Sequence, residues 1–303
     1  VTGVQARDPA RDLKTPLRLA YSPCPNDTFI FRAWVHGLLP DAPPVEEVLE
    51  DIDTLNLMAL RDKADVIKVS MHAFAHLRET YALLHSGGAM GRKCGPLVIG
   101  QKDGRLRPAP SLRRTAILAD ELVHARVAIP GELTTAALLV GLLTGGLKQP
   151  VVMPFERIMP AVAAGEVEAG VIIHEGRFTF GSYGLRRLID LGEWWEDTSG
   201  LPIPLGGIAV SRSLDRDLQA AVENAVRSSV EYARGDPEGA MDYVRQHSQE
   251  MDPDVCRRHI DLYVNDFSVD YGAEGEEAIR ELLAAAATLQ VIPTSDKGIF
   301  WGD

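Results

Sequence analysis

Short apolar runs alternate with stretches that carry an apolar residue every third or fourth position, and the alternation restarts near the middle of the chain. The first set predicts strands at 17–22, 45–50, 66–70 and 96–101. A Pro-rich turn after the first strand leads into a helix opening at Asn26 or Asp27, and Asp53 caps the next one. A third helix begins at Ser70 and carries Phe74, Leu77 and Tyr81. The second set predicts strands at 125–129, 150–153 and 170–174, with helices at 134–143 and 157–164 between them. Between the two sets, 102–110 is polar and proline-bearing and reads as a crossing between lobes.

The two sets match in type. Leu17-Arg18-Leu19-Ala20-Tyr21 lies opposite Ala125-Arg126-Val127-Ala128-Ile129, at an offset that also sets Asn26-Asp27 against Thr134-Thr135. Residues 65–70 likewise face 169–174. Further strands are expected at 188–191 and 201–210, and beyond them the chain is helical. Leu218, Val222, Ala225 and Ser229 share one face of a helix that stops at Gly235. Asp236-Pro237 and Asp252-Pro253 open the next two helices, and 274–289 is a last amphipathic one. The fold class that follows is α/β, a two-lobed clamshell with a helical C-terminal segment. Its lobe 1 takes 1–102 and 206–303, and its lobe 2 takes 103–205.

Composition narrows the function classes more than the fold. The 303-residue chain carries a net charge of −12 with 6% aromatic residues, which leaves neither a basic footprint nor a stacking platform for nucleic acid. Cys24, Cys94 and Cys256 show no CxxC spacing, which suits a reducing compartment and neither a disulfide framework nor a zinc ribbon. The first residues are polar with no apolar signal core, and no apolar run has the length of a bilayer span. The expectation is a cytoplasmic protein with no membrane partner. Negative net charge leaves anion binding open, because N–H groups at helix starts act at short range. Nothing in the sequence fixes an oligomeric state.

In open α/β sheets, ligands bind beyond the carboxyl ends of the strands. Four strand-to-helix junctions carry polar residues there: 23–28, 68–72, 131–135 and 174–175. Ser70, Thr134 and Thr135 suit helix caps, and the same hydroxyls with the N–H groups beside them suit a carboxylate. His174 closes an apolar strand just before Glu175. An imidazole so placed can act as a general base near neutrality, or be a core histidine satisfied by a carbonyl. His72 and His76 stand four apart on a helix without the Glu of an HExxH pair, which reads as a solvated face. Cys24 lies between two prolines with no histidine adjacent in sequence and reads as structural. No metal is implied, and no Walker or GxGxxG phosphate loop is present.

The run Ser22-Pro23-Cys24-Pro25-Asn26-Asp27-Thr28-Phe29-Ile30-Phe31 resembles the N-terminal signature of the 1,4-dihydroxy-6-naphthoate synthases, a family of the futalosine route of menaquinone biosynthesis. The resemblance continues through Val48-Leu49-Glu50-Asp51, Lys68-Val69-Ser70, Gly95-Pro96-Leu97-Val98, Ile172-Ile173-His174-Glu175 and Asp190-Leu191-Gly192-Glu193-Trp194-Trp195. It covers nearly the whole chain from Leu17 onward. What it implies is a type II periplasmic-binding-protein-like fold used as a carbon-carbon lyase. Such an enzyme converts cyclic dehypoxanthine futalosine to 1,4-dihydroxy-6-naphthoate with no metal or organic cofactor. By the same resemblance His174 is catalytic, and Lys68, Val69, Ser70, Thr134 and Thr135 bind the small-molecule carboxylate substrate, with Asn56 and Tyr263 near the pocket. Neutral His174 would remove a proton while helix-start N–H groups hold an aryl carboxylate. Two alternatives are a chorismate dehydratase-like sister enzyme and a non-catalytic small-anion binding protein. The Ile-Ile-His-Glu run and the Ser-Pro-Cys-Pro-Asn-Asp signature favour the synthases.

Overall fold

The computed structural model describes residues 15–248 and 252–303, so most of the polar leader lies outside the described residues. Two sheets repeat one topology. In the first, β1 (Leu17–Tyr21) lies between β2 (Val45–Leu49) and β3 (Val66–Ser70), all parallel. The connections are α1 (Pro25–Val35) and α2 (Ile52–Leu60). After a short α3 (Met71–Ala75) come β4 (Tyr81–Leu83), β5 (Ala89–Gly91) and β6 (Leu97–Gln101). The second sheet follows α4 (Leu112–His124) and sets β7 (Arg126–Ile129) between β8 (Gln149–Val152) and β9 (Ala169–Ile172), again all parallel. Here α5 (Thr135–Thr144) and α6 (Phe155–Ala164) connect the strands.

The chain continues through α7 (Gly176–Thr179), β10 (Leu185–Asp190), α8 (Leu191–Ser199) and β11 (Ile203–Ser211). The rest is helical: α9 (Arg216–Gly235), α10 (Pro237–His247), α11 (Pro253–Tyr263), α12 (Asp266–Val269) and α13 (Gly272–Thr288). Each parallel trio gains an antiparallel strand at the same edge, β11 beside β3 and β6 beside β9. The resulting orders are β2-β1-β3-β11-β4, with β5 also on β11, and β8-β7-β9-β6-β10.

This exchange of strands corrects the expected boundaries. The strand at 97–101 belongs to the second sheet, so the chain leaves the first sheet between β5 and β6 and not at residue 102. It returns just before β11, which starts at Ile203 within the strand expected at 201–210, three residues ahead of the lobe boundary expected at 206. The polar stretch 102–110 is an excursion within the second half that leads into α4. An apolar strand paired on both sides carries no mark of which sheet it joins, and the prolines pointed to the wrong loop.

Burial follows from these positions. The five residues of β3 and the four of β9 are all buried, as parallel central strands covered on both faces require. The face of α9 that includes Leu218, Val222, Ala225 and Ser229 is buried and packs on α1. A second core runs from Leu55, Val69 and Met71 through Val127, Ala136 and Leu139 to Ile279 and Leu282 of α13. The helical tail therefore braces both sheets. Asp236 and Asp252 cap their helices as expected.

Three local expectations are corrected. Asp51 rather than Asp53 caps α2, accepting from the N–H groups of Asp53 and Thr54. The helix opened by Ser70 ends at Ala75, and Tyr81 belongs to β4, because a turn and a strand satisfy the same apolar spacing as a longer helix. His72 is buried rather than solvated, since α5 and α13 pack on α3, and burial lowers its pKa. Among the described residues no helix is long and apolar enough to cross a membrane.

Candidate functional site

The carboxyl ends of β1, β3, β7 and β9 meet at one cavity between the two sheets, with about 650 Å³ of atom-free space, part of it continuous with solvent. Asn26 and Asp27 reach it after β1, Ser70 at the end of β3, Thr134 and Thr135 after β7, and His174 after β9. All four junctions singled out in the sequence thus converge. Helix α11 adds His259 and Tyr263 from the C-terminal segment.

Period-two alternation along β3 turns Lys68 and Ser70 toward the cavity and Val69 into the core, so of the three residues expected to bind substrate here Val69 does not line the cavity. Lys68 is buried and its Nζ lies 2.8 Å from Asp27 Oδ1. Ser22 Oγ donates to Asp27 Oδ2 at 2.7 Å, and Asn26 Nδ2 donates to Asp27 Oδ1 at 2.8 Å. A buried ammonium without such partners would be strongly unfavourable. Gly206 makes room for the lysine stem, since a Cβ there would stand 3.1 Å from Lys68 Cε.

Asn56 brackets Ser70 from behind. Its Nδ2 donates to Ser70 Oγ at 3.1 Å, and its Oδ1 accepts from the Ser70 N–H at 3.0 Å. It is not itself a lining residue. The hydroxyl of Ser70, accepting from Asn56, keeps its proton for a ligand. The hydroxyl of Thr134 caps α5, accepting from Ala137 N–H and donating to Gly131 O. That of Thr135 donates to Leu205 O and accepts from Met71 N–H, tying α5 to β11 and α3. What this junction offers the cavity is therefore the N–H groups of Thr135 and Ala136, which have no acceptor within the helix. Gly131 is required at φ 154, because a Cβ would lie 2.2 Å from Asp53 Oδ1.

The strand expected to run to His174 stops at Ile172, and His174 adopts φ 54, the left-handed region that side chains other than Gly or Asn rarely enter. Strain of this kind persists where the surroundings impose it. Arg177 anchors the turn that follows, donating to Gly95 O and Asp190 Oδ2. The half-buried imidazole has Cys24 Sγ 3.1 Å from Nδ1 and 3.8 Å from Nε2, and the Phe155 ring packs edge-on at 5.0 Å. Burial lowers its pKa, against the opposing pull of Glu175 and Asp27, so the ring is neutral near pH 7. Burial also pushes the Cys24 thiol well up, and Glu175 and Asp27 add to this, which keeps it protonated. On the far side of His174 a smaller recess is lined by Cys24, Asp51, Phe155 and Glu175.

Sequence reasoning missed three participants. Cys24 looked isolated because its histidine is 150 residues away. Asp27 passed as a helix-start acid, although its neighbours in the signature run now prove to be its partners. His259 left one signal, its place one helical turn before Tyr263 on a common face.

A family model described as menaquinone biosynthesis matches residues 17–288. The chain is 47% identical over 284 residues to a Thermus thermophilus protein named 1,4-dihydroxy-6-naphthoate synthase, covering 94% of this chain and 98% of that one. A Streptomyces coelicolor protein of the same name is 47% identical over 283 residues, covering 91% and 95%. Among solved structures, an Archaeoglobus fulgidus protein superposes with TM-score 0.82 at 34% identity, over 91% of this chain and 98% of its own. The alkanesulfonate-binding protein SsuA of Xanthomonas axonopodis pv. citri has TM-score 0.67 at 15% identity, over 92% and 94%, a likeness of fold. The clamshell is thus of the periplasmic-binding-protein kind.

Proposed function

The chain belongs to the menaquinone biosynthesis family, and we propose that it is the cytoplasmic lyase of that family which converts cyclic dehypoxanthine futalosine to 1,4-dihydroxy-6-naphthoate, with His174 as general base. The observation that carries this reading is the placement of a neutral imidazole on strained backbone at the edge of the interlobe cavity.

The substrate's aryl carboxylate lies against Ser70 Oγ–H and the N–H groups of Thr135 and Ala136, where the positive end of α5 favours it. Buried Lys68 is held by Asp27 beside the same space. Neutral His174 then takes a proton from the substrate, the pair of the broken bond to hydrogen moves into the ring system, and the sugar-derived part leaves with the pair of its own bond. With its own proton on Nδ1, 3.1 Å from Cys24 Sγ, the ring would keep the lone pair of Nε2 for the substrate's proton. Formation of an aromatic ring supplies driving force, so the protein contributes mainly position and a base, the latter worth roughly 10²–10⁴-fold. Closure of the lobes excludes water during the reaction.

Incubating the pure protein with cyclic dehypoxanthine futalosine and following mass tests this directly. Formation of 1,4-dihydroxy-6-naphthoate is expected. Substrate that is bound but unchanged would show a binding protein instead.

A further inference from the structure

His259 has no part in the chemistry above, yet it is 1% exposed, lines the cavity, and among the described residues its Nδ1 has no hydrogen-bond partner. Its tautomer follows from its neighbours. The Asp27 carboxylate, paired with Lys68, only accepts, so Asn26 must turn its NH₂ group toward Asp27. Asn26 Oδ1 therefore faces His259 Nε2 at 3.0 Å and can only accept, which places the imidazole proton on Nε2. Nδ1 is left as a bare acceptor. A buried acceptor without a donor is unfavourable, and a ligand hydroxyl removes that cost. The ring stands 6.3 Å from that of His174 and nearly parallel to it, so one small fragment spans both. Burial holds its pKa well below the usual histidine value, and the nearby His174 and Lys68 lower it further, so it does not become an imidazolium at neutral pH.

We infer that His259 Nδ1 accepts a hydrogen bond from a hydroxyl of the bound substrate, and so selects for the hydroxylated, sugar-derived part. This rests on the proposed function. The acceptor fixes where that part lies relative to His174 and leaves proton abstraction to His174 itself.

Two isosteric variants separate this role from bracing. His259→Gln keeps an N–H in reach of Asn26 and has no acceptor at the place of Nδ1. His259→Asn keeps an amide oxygen near the position of Nδ1 and loses the tie to Asn26. The expected result is a fall in kcat/KM of about 10- to 100-fold for His259→Gln and a smaller one for His259→Asn. Wild-type kcat/KM in a folded His259→Gln, or the reverse ranking, would overturn the inference. Should His259→Gln fail to fold, wild-type enzyme is assayed on analogues with single sugar-derived hydroxyls replaced by hydrogen. One analogue should lose about tenfold or more, and no loss with any of them overturns the inference. Failure of the underlying reading looks different: wild-type protein that does not turn the substrate over, or His174→Ala that does so at full rate.

Discussion

Cys24 Sγ and His174 Nδ1 stand 3.1 Å apart, joining the start of the first helix to the end of a strand in the opposite sheet. The contact brings the two halves together at the imidazole. With its thiol kept protonated by burial, Cys24 is placed, in the proposed mechanism, to orient the ring rather than to attack a substrate.

Cys24→Ala should therefore lower kcat by roughly three- to tenfold with little change in KM, and Cys24→Ser should recover part of the loss, since one neutral hydrogen bond is at stake. Steady-state kinetics of the two variants decide it. A large loss shared equally by both would point to a covalent role for sulfur.

The Lys68–Asp27 pair predicts a stability effect. Lys68→Met leaves the Asp27 carboxylate buried without its cation and should cost about 3 kcal/mol or more, read by urea denaturation. Adding Asp27→Asn should recover much of that loss. A single variant as stable as wild type would show that Ser22 and Asn26 suffice to hold the carboxylate.

Both cavity histidines set the response to acid. Burial depresses the pKa of His174 and, more strongly, that of His259, below the 6.5 of an unperturbed imidazole. In the proposed mechanism the neutral base is the active form, so kcat/KM should be flat above that value and fall on an acid limb below it. Stability has the same sign. A folded state that binds fewer protons than the unfolded one keeps its full stability above the unfolded pKa and loses it as pH falls toward the folded value. Thermal melts should show Tm declining below about pH 6.5, less steeply in His259→Gln. An unchanged slope in that variant would remove His259 from the account.

Much of this was legible in the chain. The repeat of apolar strands and polar junctions located both parallel trios and all four cavity-lining turns, because burial on two faces and helix-start chemistry write local patterns. What stayed hidden was non-local. Leu97–Gln101 gives no sign of which sheet it joins, and Val69 changes sides only through the pleat. Cys24 and His259 acquire their meaning from partners 150 and 233 residues away. Resemblance to a family pointed to His174, while the left-handed backbone that presents it appears only in three dimensions.

In the proposed mechanism one imidazole, held at φ 54, performs the proton transfer. Asn tolerates that backbone better than most residues, so His174→Asn should fold and melt close to wild type. The decisive measurement is its kcat on cyclic dehypoxanthine futalosine. The account predicts a fall of roughly 10²–10⁴-fold in the folded variant; turnover within a few fold of wild type would contradict it.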